Sequence, residues 1–333
     1  MTLTNHNSKH AYYKKLAALT LAVTLHSLLL LGQSKSKKRD LAFTVIAETN
    51  LKAPSSTKAN FTYLTQELPI NTSAYEYASC IYQNELIVVS KRKVGSIAKS
   101  KSTIVDQSDY KLIAFAQDQN NWSQGHLFED AFMGKENHGG ITFSKDETRV
   151  YFTKTSLENP QVYQLYTADK KNKFANHWQN EKALILANKK YSIEHPWISQ
   201  SGKFLYFSSN MPGGYGGYDI YVSEIHKNGS LGKPINLGDN VNSLYDENYP
   251  TLNNSGTQVY FASNRTTGFG GFDLYSSYTS SGDYSKSVNL GPSINSKYDE
   301  VGYITISDTT GYFSSNKNAL SRNQNIYSFT LQH

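Results

Sequence analysis

Acidic residues recur at matching places along the second half of this 333-residue chain. Asp219 and Asp273 each close a glycine-rich stretch, Gly213-Gly214-Tyr215-Gly216-Gly217 and Gly268-Phe269-Gly270-Gly271, while Gln164 and Asn325 take the same place elsewhere. A second set, Glu194, Asp246-Glu247 and Asp299-Glu300, stands ahead of short apolar runs, with Glu76 and Glu136 as equivalents. Carboxylates and loop carbonyls are hard-oxygen ligands, so one reading is a rim that holds a cation or ligand. The other is that each acid caps turn amides or bridges to the Ser-Asn of its own repeat. Recurrence favours the scaffold, because a single binding site needs asymmetry and a scaffold needs repetition. Asp219, Asp273, Glu194, Glu247 and Glu300, with Asn210, Asn264 and Asn316, are therefore expected to be structural hallmarks of a repeat. Whether a metal binds the acidic rim stays open at this level.

The glycine-rich stretches are not phosphate loops. No helix and no Lys-Ser/Thr follows them, so the helix-terminus anion site is missing. Their glycines permit a tight excursion that displays Tyr215 and Phe269 at the tip. Aromatic side chains on rigid loops are plausible recognition anchors. Together with Arg265, Asp246 and Asp299 they make up the candidate binding face. No catalytic signature is present: there is no His-Glu-x-x-His, no Gly-x-Ser-x-Gly and no Cys/His metal spacing. His126, His138, His177, His195 and His226 are scattered, with His138 and His195 at the starts of repeats. No catalytic residue is assigned and no cofactor is expected.

These residues must be placed by a repeated element. Tyr206-Phe207-Ser208-Ser209-Asn210 runs on to Asp219-Ile220-Tyr221. The pattern returns from Tyr260-Phe261 to Asp273-Leu274-Tyr275, and again from Tyr312-Phe313 to Asn325-Ile326-Tyr327. The landmark positions Val89, Phe152, Phe207, Phe261 and Phe313 are separated by 63, 55, 54 and 52 residues. From each Phe to the following Ile/Leu-Tyr the distance is always 13 residues. A constant inner spacing with a drifting period describes a repeated unit with variable outer loops. Short aromatic and β-branched runs punctuated by Ser-Gly, Asn-Gly and Gly-Gly read as hairpins, and no 3.6-residue period follows residue 40.

The expected fold is all-β: a single β-propeller of five blades, each of four antiparallel strands, with six blades as the alternative. Blades should start near 78, 140, 196, 250 and 302. The last unit stops after its third strand, and residues 60–70 resemble an outer strand, so they should close the ring by pairing with the last blade. The organisation expected is a signal peptide or N-terminal membrane anchor over 1–32, a linker over 33–59 and the propeller over 60–331. A polar, Lys/Ser-rich surface insertion is expected around Lys91–Gln107.

Residues 139–330, with their Asn-Leu-Gly, Ile/Val-Asn-Ser, Asp-Glu, Tyr-Phe-Ser-Ser-Asn and Gly-Gly-x-Asp-Ile/Leu-Tyr elements, resemble the WD40-like (TolB-type) propeller repeats of Bacteroidota-type envelope proteins. The C-terminal OmpA-type domain that many of those proteins carry is not matched here. The resemblance implies export and a role in the cell envelope.

Composition agrees with an amphipathic all-β chain: 13% of the residues are aromatic, 25 tyrosines among them, and 38% are hydrophobic. The pI of about 9.0 invites a nucleic-acid reading. Seven of the 33 bases, however, lie before residue 40, and setting them and Asp40 aside leaves 26 bases against 26 acids. A propeller without net charge lacks the footprint of a phosphate binder, so no nucleic-acid partner is expected. Lys14-Lys15 followed by an apolar run over 16–31 reads as a secretory signal. An inner-membrane anchor formed by 16–31 is the alternative. Cys80, the single cysteine, reads as a buried structural thiol. The expected function is an exported, non-enzymatic binding or scaffold protein of the periplasm or outer membrane. Its loop-rich face would recognise a protein or envelope polymer, with possible peripheral or N-terminally anchored membrane association. The alternative is a propeller hydrolase or lyase acting on extracellular glycans or peptides.

Overall fold

A computed structural model describes residues 62–92, 110–119, 121–128, 136–175, 177–184, 190–280, 283–318 and 323–332. The expected signal or anchor segment, the linker and most of the Lys91–Gln107 insertion lie outside the described residues. Among the described residues there are only strands, turns and bends, and no helix is long and apolar enough to cross a membrane. The propeller lies in one compact unit, Lys52–Ser280 with Tyr284–His333.

Strand β1 (Thr62–Glu67) precedes the first blade, which holds β2 (Glu76–Tyr82), β3 (Glu85–Ser90), β4 (Lys111–Asp118) and the short outer pieces β5 (Asn121–Trp122) and β6 (His126–Leu127). The second blade is β7 (His138–Phe143), β8 (Arg149–Lys154), β9 (Gln164–Asp169) and β10 (Gln179–Ala183). The third is β11 (Ile193–Ile198), β12 (Phe204–Ser209), β13 (Asp219–Glu224) and β14 (Ile235–Asn236). The fourth is β15 (Glu247–Leu252), β16 (Gln258–Ser263), β17 (Asp273–Ser280), β18 (Asp283–Tyr284) and β19 (Val288–Asn289). The fifth runs β20 (Glu300–Thr305), β21 (Thr310–Ser315), β22 (Asn325–Gln332) and takes β1 as its outer strand. All pairings are antiparallel, and the five sheets form a five-bladed β-propeller.

The recurring residues show why each blade forms. The landmark Phe152, Phe207, Phe261 and Phe313 are buried on second strands. Each stacks on a tyrosine of the third strand, Tyr166, Tyr221, Tyr275 and Tyr327, with ring centroids 5.4–6.0 Å apart. Aromatic cross-strand pairs of this kind stabilise a sheet by about 0.2–1 kcal/mol each. In blade 1 the landmark place falls on Val88, paired with Ile113, and not on the expected Val89, one residue later, so the position survives there as aliphatic packing.

The Ile/Val-Asn-Ser element is a clip. Asn242 accepts the Ile220 N–H at 2.8 Å and donates to the Ile220 carbonyl at 3.0 Å. Asn295 does the same to Leu274, and Asn71 to Ile326. The last case joins the N-terminal segment to the final blade, where β1 runs in register from Thr62 opposite Gln332 to Glu67 opposite Tyr327. A backbone bond also crosses each blade junction near one rim, from the N–H of His138, Ile193, Glu247, Glu300 and Glu76 to Tyr110, Tyr163, Tyr218, Phe272 and Gln324. Glu76 to Gln324 completes the circuit between blades 1 and 5. Ring closure removes the exposed sheet edge that an incomplete last blade would present.

Candidate functional site

Alternating strand direction sends the loops between second and third strands, and those between blades, to one face. There the glycine-rich loops meet the inter-blade loops. Gly217 donates its N–H to Tyr245 O, and Gly271 to Tyr298 O. A Cβ on Gly216 or Gly217 would run into Tyr245 O or the Asp246 carboxylate, and one on Gly270 or Gly271 into Tyr298 O or Asp299. The Gly-Gly pair is therefore required by backbone approach at this junction.

The carboxylates hold this approach in place. Asp219 accepts the N–H groups of Tyr215 and Gly216 at 2.6 and 3.1 Å and the Asn236 amide at 2.7 Å. Asp273 accepts the Phe269 N–H at 2.5 Å and the Asn289 amide at 3.0 Å, and burial raises its pKa. Asp246 takes the Tyr218 N–H and the Asn264 amide, and Asp299 takes those of Phe272 and Asn316. Asn264 and Asn316 accept the backbone N–H of these same aspartates, as Asn210 accepts that of Ser192.

Glu247 binds Ser243, Ser263 and Arg265, and Glu300 binds Ser296 and Ser315. Glu76, in the same register, binds Ser90 and Arg92. Arg265 bonds Ser263, Ser287, Val241 O and Glu247, and it lies 4.6 Å over the Tyr275 ring. Of the five candidate binding-face residues, Arg265, Asp246 and Asp299 are thus engaged within the scaffold.

Tyr215 and Phe269 differ: they are 48% and 50% exposed. Beside them stand Leu244 at 82%, Tyr245 and Tyr298, which sequence reasoning missed because only the loop packing brings them next to the glycine tips. The Tyr245 hydroxyl lies 3.2 Å from Thr266 Oγ1, tying the inter-blade loop to the Phe269 loop. An aromatic and aliphatic arc therefore runs over blades 3 to 5 on loops fixed by buried carboxylates.

Nearer the axis the repeat breaks. Glu194 does not occupy the place of Glu247 and Glu300. Glu247 faces Ser263 and Glu300 faces Ser315, but in blade 3 it is Ile193 that faces Ser209, and Glu194 faces Ser208. Glu136 likewise precedes the equivalent position, which His138 fills. Each inner strand carries a bulge, and at it His195 and Tyr249 adopt φ of 52° and 55°, in the left-handed region. His195 stacks on Tyr249 at 3.6 Å, and Tyr77 meets both rings edge-on. Burial holds the His195 pKa down at about 3, so the imidazole is neutral, and it raises that of Glu194. Tyr110, Tyr163, Tyr218 and Phe272 each stand one residue ahead of a third strand. Each of the last three lies 11 residues after its landmark Phe, a spacing that marked them in the sequence.

Below this level the axis narrows to a void of about 20 Å³ lined by Tyr77, His195, Trp197, Tyr249, Gly302 and Ile304. The opposite face, expected to offer only short turns, also has a cavity of about 210 Å³ around Trp197, Phe143, Gln200 and Asn254. No group of three or more His, Cys, Asp or Glu placed to hold a metal ion occurs among the described residues. Cys80 is buried and its thiol pKa is raised by desolvation.

No family profile matches the sequence, and no curated protein matches it. Solved structures do resemble it in fold. A putative TolB from Agrobacterium tumefaciens is 12% identical with a TM-score of 0.46, over 78% of this chain and 79% of that one. TolB from Acinetobacter baumannii is 14% identical with a TM-score of 0.38, over 74% of this chain and 51% of that one. A GH43 endo-arabinanase from Bacillus licheniformis is 11% identical with a TM-score of 0.47, over 77% and 92%. TolB proteins and a glycoside hydrolase family 43 enzyme thus appear side by side among the similar structures.

Proposed function

We propose that this protein is an exported, non-enzymatic propeller of the cell envelope that binds a protein or envelope polymer through the face carrying Tyr215 and Phe269. The observation that carries this reading is the exposure of those two rings, with Leu244, Tyr245 and Tyr298, on loops whose backbone is held by buried aspartates. Large side chains on a preorganised backbone bind with little ordering cost. The acids of this face support the same reading, since their oxygens accept from amides and hydroxyls of the fold instead of standing paired in a cleft. Glycoside hydrolysis needs two carboxylates roughly 5–9.5 Å apart across a substrate. Export rests on Lys14-Lys15 and the apolar run over 16–31.

The test is capture from envelope extract by the native protein and by the double variant Tyr215→Ala/Phe269→Ala. Each truncation should weaken binding by about 1–3 kcal/mol while the melting temperature stays put. Undiminished capture, or turnover of a glycan or peptide library by the native protein, overturns the reading.

A further inference from the structure

The inner-strand glutamates divide into two kinds. Glu76 and Glu247 are fully buried, and each is met by a built-in guanidinium, Arg92 and Arg265. Glu300 is fully buried too, held by Ser296 and Ser315, with Lys317 close enough for the two charges to interact. Glu194 sits one residue later in its strand, and a one-residue offset in a strand reverses the side of the sheet a side chain faces. Ile193 takes the scaffold position and is buried with Leu205 and Phe207. Glu194 is sent to the other side, among the tyrosines of the axial mouth.

Its Oε1 accepts the Tyr218 hydroxyl at 2.6 Å. Its Oε2 lies 3.8 Å from His195 Nε2, too far for a hydrogen bond, and that imidazole is neutral. His195 Nδ1 is buried and has no hydrogen-bond partner. No Lys or Arg among the described residues forms an ion pair with Glu194, yet its side chain is 20% exposed and can be reached. The hydroxyls of Tyr75, Tyr110 and Tyr163 all lie within the electrostatic reach of this carboxylate. The mouth thus offers a negative charge, phenol oxygens that accept and aromatic walls.

We infer that this axial mouth binds an alkylammonium group of the lysine side-chain type, with Glu194 as its counter-ion and tyrosine hydroxyls as further acceptors. A guanidinium would want both carboxylate oxygens for its planar fork, but Oε1 is already engaged by Tyr218. A calcium ion would need six to eight oxygen ligands, far more than one carboxylate and its phenols supply. An ammonium is a point charge with three donors, and its slender methylene stem suits a recessed carboxylate between aromatic rings.

The test titrates the full chain with N-acetyl-lysine N-methylamide, with its neutral counterpart N-acetyl-norleucine N-methylamide and with glucosamine, read by calorimetry and tyrosine ring NMR. The lysine derivative should bind saturably and at least about tenfold more tightly than the other two. Glu194→Gln should weaken it by about tenfold while near-UV circular dichroism and melting temperature are retained. Absence of saturable binding, equal binding of the norleucine compound, or a folded Glu194→Gln protein that binds as before overturns the inference. Glucosamine binding as tightly as the lysine derivative overturns the assignment to an alkyl stem.

Discussion

Blades 3 and 4 carry the same strand order and nearly the same glycine loop, yet their inner strands begin differently. In blade 4 Glu247 opens β15, and its carboxylate is closed off by Ser243, Ser263 and Arg265. In blade 3 Ile193 opens β11, and the glutamate that follows is turned toward the axis, with the hydroxyls of Tyr218 and Ser192 beside it and no cation paired to it among the described residues. One is a fastening used again in blades 1 and 5. The other is the exception, and exceptions within a repeat are where a single site has room to exist. Chemistry at the side-chain level is the same in both; only the register separates a structural carboxylate from an available one.

The largest effect that bears on this scaffold is loss of its closure. Removing residues 62–71 takes away the outer strand of blade 5 and the Asn71 clip on Ile326, exposing the edge of β22. The shortened protein should no longer unfold as a single cooperative monomer and should aggregate, as read by light scattering and calorimetry. A monomer with an unchanged melting temperature would mean that the fifth blade does not depend on β1.

Next in size comes the contrast between the two glutamates. Glu247→Ala leaves the Arg265 guanidinium buried without its anion and should cost about 3–5 kcal/mol in denaturant unfolding. Glu194→Gln removes no ion pair and should stay within about 1 kcal/mol of the native protein. Equal losses at the two positions would erase the distinction drawn between them.

A further effect is a pH dependence. His138 and His195 are buried and neutral, with pKa values pushed down to about 3 chiefly by desolvation and, for His138, also by Lys111 and Lys154. An unfolded histidine takes up a proton near pH 6.5 while the folded one does not. Stability present above that pH is lost as pH falls toward 3, by up to about 1.4 kcal/mol per pH unit for each histidine. Asp273 and Glu300 act in the opposite sense, because burial raises their folded pKa and protonation favours the folded form. Their contribution returns stability at lower pH, so the histidine slope is cleanest between roughly pH 6.5 and 5. Denaturant midpoints across that window should fall, and His195→Gln should flatten the slope; a flat native profile would contradict neutral burial of both rings.

Composition, the 13-residue inner spacing and the aromatic landmarks were enough by themselves to indicate an all-β propeller, with five blades expected and six as the alternative, and the structure has five. The physical reason is that strand period and turn chemistry are local, and a unit repeated radially has few ways to bury its aromatic face. Exposure of Tyr215 and Phe269 could be anticipated for the same reason, since glycine-supported tips project wherever the two flanking strands end. Tertiary structure alone decided the rest. Arg265 reads as a surface cation in the sequence, and only its packing against Glu247, Ser287 and Tyr275 withdraws it from the face. Glu194 reads as the counterpart of Glu247, and only the pairing of Ile193 opposite Ser209 shows that it points elsewhere. Side-chain direction in a strand alternates with every residue, so an offset that leaves sequence similarity almost untouched moves a carboxylate from the scaffold to the axial mouth.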